Sequence, residues 1–230
     1  MKFRQTLTLS MTLAAAILSI HGHDIYELSV VPRIERWEKT IKGFEELDAE
    51  SRLPRGAVLL IGGSNARRWL DVDEAFPEQR VINRGFGGAR LSEVLHFADR
   101  LILPLAPKVI LVNAGGNDLS AGCSPTQVHE TAEALVTSIR EGLPDAHIYF
   151  MGLPYMRRAH ENSEAMAVVR SMNEKLSSLA ENEVQVEFID LVPAFFDEKG
   201  EFPTELFVKD GVHFSEKGYE VLAGLLRKKL

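Results

Sequence analysis

Cysteine is nearly absent from this chain. Cys123 is the single one in 230 residues, so no intramolecular disulfide can form and stability has to come from packing. There is no excess of positive charge either. Asp and Glu number 33 against 26 Lys and Arg, a formal net charge of -7 with both signs interspersed, which disfavours a nucleic-acid partner. The sequence has no H-E-x-x-H. His21, His23, His96, His129, His147 and His160 stand at spacings without paired carboxylates, so nothing points to a metal hydrolase. Low-complexity tracts and fixed-period repeats are missing too, as expected of an ordinary packed domain, and the length suits one domain better than two.

The one long uncharged run lies at the start. Lys2 and Arg4 precede Leu7 to Leu18, a stretch too short to span a bilayer comfortably, and residues 1–22 read as a secretory signal peptide. A cut after Gly22 is not a clean A-x-A site, so an uncleaved N-terminal anchor stays open as the alternative. Export to the periplasm or the cell exterior is the expectation, with no stable membrane insertion once the leader is removed. Residues 23–55 form an extension in which Ile34, Trp37, Ile41 and Phe44 recur at helical spacing, predicting an amphipathic helix that lies on its own domain. Residues 56–230 form the main domain.

Within that domain apolar runs alternate with helical patterns. Strands are expected at Ala57 to Ile61, Arg80 to Asn83, Lys108 to Ala114, Ala146 to Met151 and Val184 to Asp190. Helices are expected after each, the clearest opening at Ser124-Pro125, where a cap residue precedes a proline at the first helical position. Strands apolar throughout and joined by helices call for a parallel sheet covered on both faces. The fold class is therefore α/β, a three-layer α/β/α sandwich around a central, mostly parallel five-stranded sheet. Ligands of such sheets bind beyond the carboxyl ends of the strands.

At that edge the sequence places Gly62-Gly63-Ser64 after strand one, Arg84-Gly85-Phe86-Gly87-Gly88 after strand two and Gly115-Gly116-Asn117-Asp118 after strand three. Ser64 reads either as a nucleophile or as a helix N-cap. The glycine pair before it provides positive φ or close approach of the backbone. Near the C-terminus, Asp210-Gly211-Val212-His213 precedes the last helix. A carboxylate three residues before an imidazole can hold its Nδ1 and leave Nε2 as a general base. Ser215 has a plainer role as the cap of that helix. Arg67, Arg68, Arg84 and Arg90 fall near the same edge, either to meet an anionic substrate or, more plainly, as solvated helix and loop charges.

These four blocks, in this order, resemble the SGNH (GDSL-type) hydrolases, from about Gly56 to the C-terminus. The resemblance implies a flavodoxin-like hydrolase fold, Ser64 as nucleophile, His213 as base and Asp210 orienting it. It also implies an oxyanion hole from the backbone amides of Ser64 and Gly88 and the side-chain amide of Asn117, with no metal or organic cofactor. The first block departs from the usual Gly-Asp-Ser, since Gly63 stands where the family carries aspartate. The G-x-S-x-G elbow of α/β-hydrolases proper is absent, because Ala66 occupies the second glycine position. The activity so implied is that of a serine esterase acting on small acyl esters. With an export signal, an acidic surface and no extended apolar lid, acetyl groups on carbohydrate are the leading expectation. A reading from another class remains beside it: a non-catalytic carbohydrate-binding or scaffold domain that kept the fold, prompted by Gly63.

Overall fold

The computed structural model describes residues 34–50, 55–196 and 200–230; the leader and the first part of the extension lie outside the described residues. A short 3-10 turn, Ile34–Arg36, leads into α1 (Glu38–Glu50), and β1 (Val58–Gly62) starts the sheet. Next come α2 (Ser64–Arg68), α3 (Val72–Ala75), β2 (Val81–Gly85), α4 (Leu91–His96), α5 (Ala98–Leu101) and β3 (Val109–Asn113). The chain continues through α6 (Gly116–Ser120), α7 (Pro125–Gly142), β4 (His147–Met151), α8 (Arg157–His160) and α9 (Ser163–Asn182). It ends with β5 (Val186–Ile189), α10 (Val192–Phe195) and α11 (Glu216–Leu226).

The five strands run in the order β2-β1-β3-β4-β5, and every neighbouring pair is parallel. All five residues of β1 are buried, as a strand covered on both faces requires. The order reverses direction between β1 and β3. That is the switch point at which an open α/β sheet leaves a crevice beyond its strand ends. Ser64 follows β1 and Asn117 lies in the first turn after β3, so both stand beside that crevice.

The segment from Leu91 to Leu101 is two helices broken at Phe97, and β4 is followed by a single helical turn, α8, before the long α9. The Ser124 cap is realised as a capping box, with the Gln127 amide donating to Ser124 Oγ and the Ser124 amide donating to Gln127 Oε1.

α1 packs on the domain that follows it. Ile41 is fully buried, and Trp37 packs edge-on against Phe86 with ring centroids 5.2 Å apart. Trp37 Nε1 also donates to Glu93 Oε2 at 2.8 Å. Arg100 is held by Glu38 and Glu45, and Arg84 pairs with Asp48. The extension is thereby fastened to the second glycine turn as well as to α5.

Candidate active site

The first turn shows why glycine occurs twice before Ser64. Gly62 has φ +144°, and a side chain there would collide with the Asn113 carbonyl. Gly63 has an ordinary φ of -86°, so its constraint is space. A methyl group at Gly63 would stand 2.8 Å from Asn117 Nδ2 and 3.2 Å from the Ala89 carbonyl oxygen. Positive φ occurs at Gly62 and close approach at both residues. The same distances show that the turns after β1, β2 and β3 meet at this point.

Ser64 opens α2, and the N-cap of that helix is Gly63, without a side-chain cap bond. The Ser64 hydroxyl is engaged elsewhere, with Oγ 2.9 Å from His213 Nε2. The helix-cap reading of Ser64 therefore fails. Ser215 does cap its helix, accepting the Gly218 amide at 3.2 Å.

His213 is presented by a tight hairpin in which Phe207 and Phe214 form an antiparallel bridge and the Val208 amide donates to the His213 carbonyl at 2.8 Å. Gly211, at φ +68°, turns the chain, and its carbonyl accepts the Arg157 amide at 2.9 Å, tying the hairpin to α8. Asp210 uses its two oxygens differently. Oδ1 accepts the amides of Val212 and His213 at 2.8 and 3.0 Å, while Oδ2 lies 2.7 Å from His213 Nδ1. Partial burial alone would raise the Asp210 carboxyl, but the His213 ring and the two amides outweigh it and hold it down at about 2. A serine hydroxyl on an imidazole whose other nitrogen rests on an ionised carboxylate is the arrangement that activates an alcohol.

Asn117 Nδ2 donates to the Ala89 carbonyl at 2.9 Å, which occupies one of its two hydrogens. The backbone amides of Ser64 and Gly88 have no hydrogen-bond partner among the described residues. Asp118 completes the clasp begun by Asn117, with Oδ2 accepting the Leu91 amide at 2.8 Å at the start of α4. Burial raises the Asp118 carboxyl to about 6, against the lowering effect of the Leu91 and Ser92 amides.

One site residue escaped the sequence reading. Asn65, buried beside Ser64, donates to the Val212 carbonyl at a long 3.4 Å and accepts the Phe214 amide at 3.1 Å, so it grips the backbone on both sides of His213. The one signal available was its place next to Ser64. Of the four arginines placed near this edge, Arg84 is committed to Asp48, while Arg67 lies against Gly87.

Beside Ser64 and Asn117 opens a cavity of about 570 Å³, walled by Leu119, Leu153, Met156, Ala159, Val168 and Val169. It extends toward β3 and β4, away from the β2 turn.

The fold recurs in solved structures. A Streptococcus pneumoniae protein provisionally described as a platelet activating factor superposes with TM-score 0.74 at 21% identity, covering 96% of this chain and 99% of its own. A GDSL-like lipase from Bacteroides thetaiotaomicron gives TM-score 0.68 at 17% identity over 82% of this chain and 96% of its own. A variant of an acetyl-xylooligosaccharide esterase from Geobacillus gives 0.63 at 19% identity over 78% and 96%. At these identities the likeness concerns the fold. No curated protein matches the sequence. The model of the GDSL-like lipase/acylhydrolase family does match, over residues 42–221, which takes in the serine, glycine, asparagine and histidine turns together. On that match, with the sheet and its turns as described, the chain belongs to the GDSL-like lipase/acylhydrolase family.

Proposed function

We propose that this chain is a serine esterase that cleaves small acyl esters, acetyl included, through an acyl-enzyme. The observation that carries the reading is the continuous bond path from Ser64 Oγ through His213 to Asp210, at 2.9 and 2.7 Å. His213 Nε2 takes the Ser64 proton as Oγ bonds to the ester carbon. Negative charge gathers on the carbonyl oxygen, where the amides of Ser64 and Gly88 and the second hydrogen of Asn117 Nδ2 receive it. The carbon–oxygen bond to the alcohol then breaks, and His213 returns the proton to the leaving oxygen. Water repeats the sequence on the acyl-enzyme, giving up its proton to His213, and Ser64 recovers it as the acid departs.

The apolar cavity suits the acyl part and has room beyond an acetyl group. A polar alcohol such as a carbohydrate is the partner half we favour, supported by the exported leader read from residues 1–22 and by the acetyl-xylooligosaccharide esterase among similar folds. Among the described residues no helix is long and apolar enough to cross a membrane.

The test is a series of 4-nitrophenyl acetate, butyrate and octanoate, with acetylated xylooligosaccharide alongside, against wild type and Ser64→Ala. Loss of at least ~10³-fold in turnover in the variant is expected. A fluorophosphonate probe should label the wild type and not the variant. Near wild-type hydrolysis by Ser64→Ala would end this reading, and a folded wild type that neither turns over nor labels would support a non-catalytic binding domain instead.

A further inference from the structure

On the side of Ser64 away from the apolar cavity, two guanidinium groups from different elements converge on one turn. Arg36, from the 3-10 turn before α1, has Nη2 placed 3.2 Å from where a side chain on Gly88 would begin. Arg67, from α2, has its guanidinium against Gly87, so that any side chain there would run into Nε. Consecutive glycines thus leave room for two arginines over the turn that carries the Gly88 amide assigned above to the oxyanion. Neither guanidinium has a carboxylate partner among the described residues. Arg36 is further placed by its stacking on Trp37, 4.1 Å from the ring centroid, and Trp37 is itself bonded to Glu93. The buried Glu93 and Asp118 are engaged by Trp37 Nε1 and by the amides of Arg90 and Leu91, and Asp48 is taken up by Arg84 at the head of the turn. A third guanidinium of the same turn, that of Arg90, has its buried Nη1 without a partner. Arg36 and Arg67, the two without a carboxylate partner among the described residues, belong to a chain of net charge -7, so bulk composition does not produce their convergence.

The ester has two halves. If the acyl half occupies the apolar cavity on the β3–β4 side, the alcohol half leaves over the β2 turn, where Arg36 and Arg67 stand. We propose that Arg36 and Arg67 form an anion subsite for the leaving alcohol, so that the preferred substrates are esters whose alcohol half carries a phosphate, sulfate or carboxylate group. Guanidinium groups match such oxygens by paired hydrogen bonds as well as by charge. The inference rests on the esterase reading above. It adds that α1 and the turn before it supply a specificity-determining residue, Arg36, which lies outside the segment matched by the family model.

The experiment uses matched ester pairs in which one member carries the anionic group and the other lacks or masks it. One pair is 2-(butyryloxy)ethyl phosphate and 2-(butyryloxy)ethanol; another is a butyrylated methyl glucuronide and the same compound with its carboxylate methylated. A butyryl ester with a sulfate on the alcohol completes the set and separates the three anion sources. The readout is kcat/KM for the anionic member over the neutral one. The wild type should prefer at least one anionic member by about tenfold, and the preference should shrink in about 0.5 M NaCl. Arg36→Gln and Arg67→Gln should each bring that ratio down several-fold, with the change carried by KM. Two variants on separate elements guard against a folding defect in either one. A ratio near one in the wild type, or a ratio unchanged in both variants, overturns the subsite while leaving the esterase reading intact. Absence of Ser64-dependent cleavage of every ester overturns the reading beneath it, and the subsite with it.

Discussion

Asn65 Oδ1 accepts the amide of Phe214, a residue 149 positions further along the chain, at 3.1 Å. With its Nδ2 on the Val212 carbonyl, the same side chain fixes the backbone on either side of His213. Asn65→Ala leaves the buried Phe214 amide unsatisfied, at a cost of about 1–3 kcal/mol. It also frees the histidine hairpin relative to Ser64. Ester turnover should fall roughly 10- to 100-fold through kcat, with KM little changed, in the manner of a positioning residue. Asn65→Asp, which keeps the acceptor, should recover part of the loss; equal kcat for wild type and Asn65→Ala would refute the role.

Asp210→Asn replaces the carboxylate that holds His213 Nδ1 and should lower kcat by ~10³- to 10⁴-fold. The Asp210 carboxyl lies at about 2, below the ordinary carboxylate value, so its contribution to stability is full above that ordinary value and fades as pH falls toward 2. Thermal melts between about pH 2 and 4 should therefore slope more steeply for wild type than for Asp210→Asn. Parallel slopes would contradict the assignment.

Asp118 works in the opposite direction. Its carboxyl sits at about 6, above the ordinary value, because it is buried. Between about pH 4 and 6 the folded chain holds a proton that the unfolded chain has released, so stability declines as pH rises through that window, by an amount on the order of 2–3 kcal/mol. Asp118→Asn keeps an acceptor for the Leu91 amide and removes the titration. Its melting temperature should stay flat over that range where the wild type declines, and identical profiles would count against the buried carboxyl as the source.

Gly63 can be tested by restoring the family's usual residue. Any Cβ at this position stands 2.8 Å from Asn117 Nδ2, so Gly63→Ala and Gly63→Asp both displace the asparagine amide from its place beside Ser64. Both should lower kcat by about tenfold or more, the loss expected when an oxyanion donor is misplaced. Full activity in Gly63→Asp would show that Asn117 yields without consequence.

The extension should matter to folding. Ile41, on the inner face of α1, is fully buried, and Ile41→Ala should cost about 2–5 kcal/mol by denaturant titration. A cost below about 0.5 kcal/mol, typical of a surface position, would mean that α1 is a loosely held appendage.

Much of this molecule was legible along the chain. Uniformly apolar runs such as Val58 to Ile61, each followed by a helical period, dictated a parallel sheet, because a strand apolar on both faces needs cover on both. The residue types at the strand ends marked the turns where Ser64, Gly88 and Asn117 lie, and the spacing of Asp210 and His213 allowed their contact within one hairpin. What sequence could not decide were relationships between distant segments. Whether Ser64 capped its own helix or met His213 depended on the path of the hairpin, and that path is fixed by Asn65, α8 and the aromatic packing around Phe214. The glycine at position 63 had no local reason, since its φ is ordinary; only the approach of Asn117 from β3 supplies one. Arg36 stood in a helical pattern far from every motif, and folding alone set it beside Gly88. Periodicity and turn chemistry are local and can be read residue by residue. Space, and the side chains that come to share it, exists only once the strands are ordered β2-β1-β3-β4-β5.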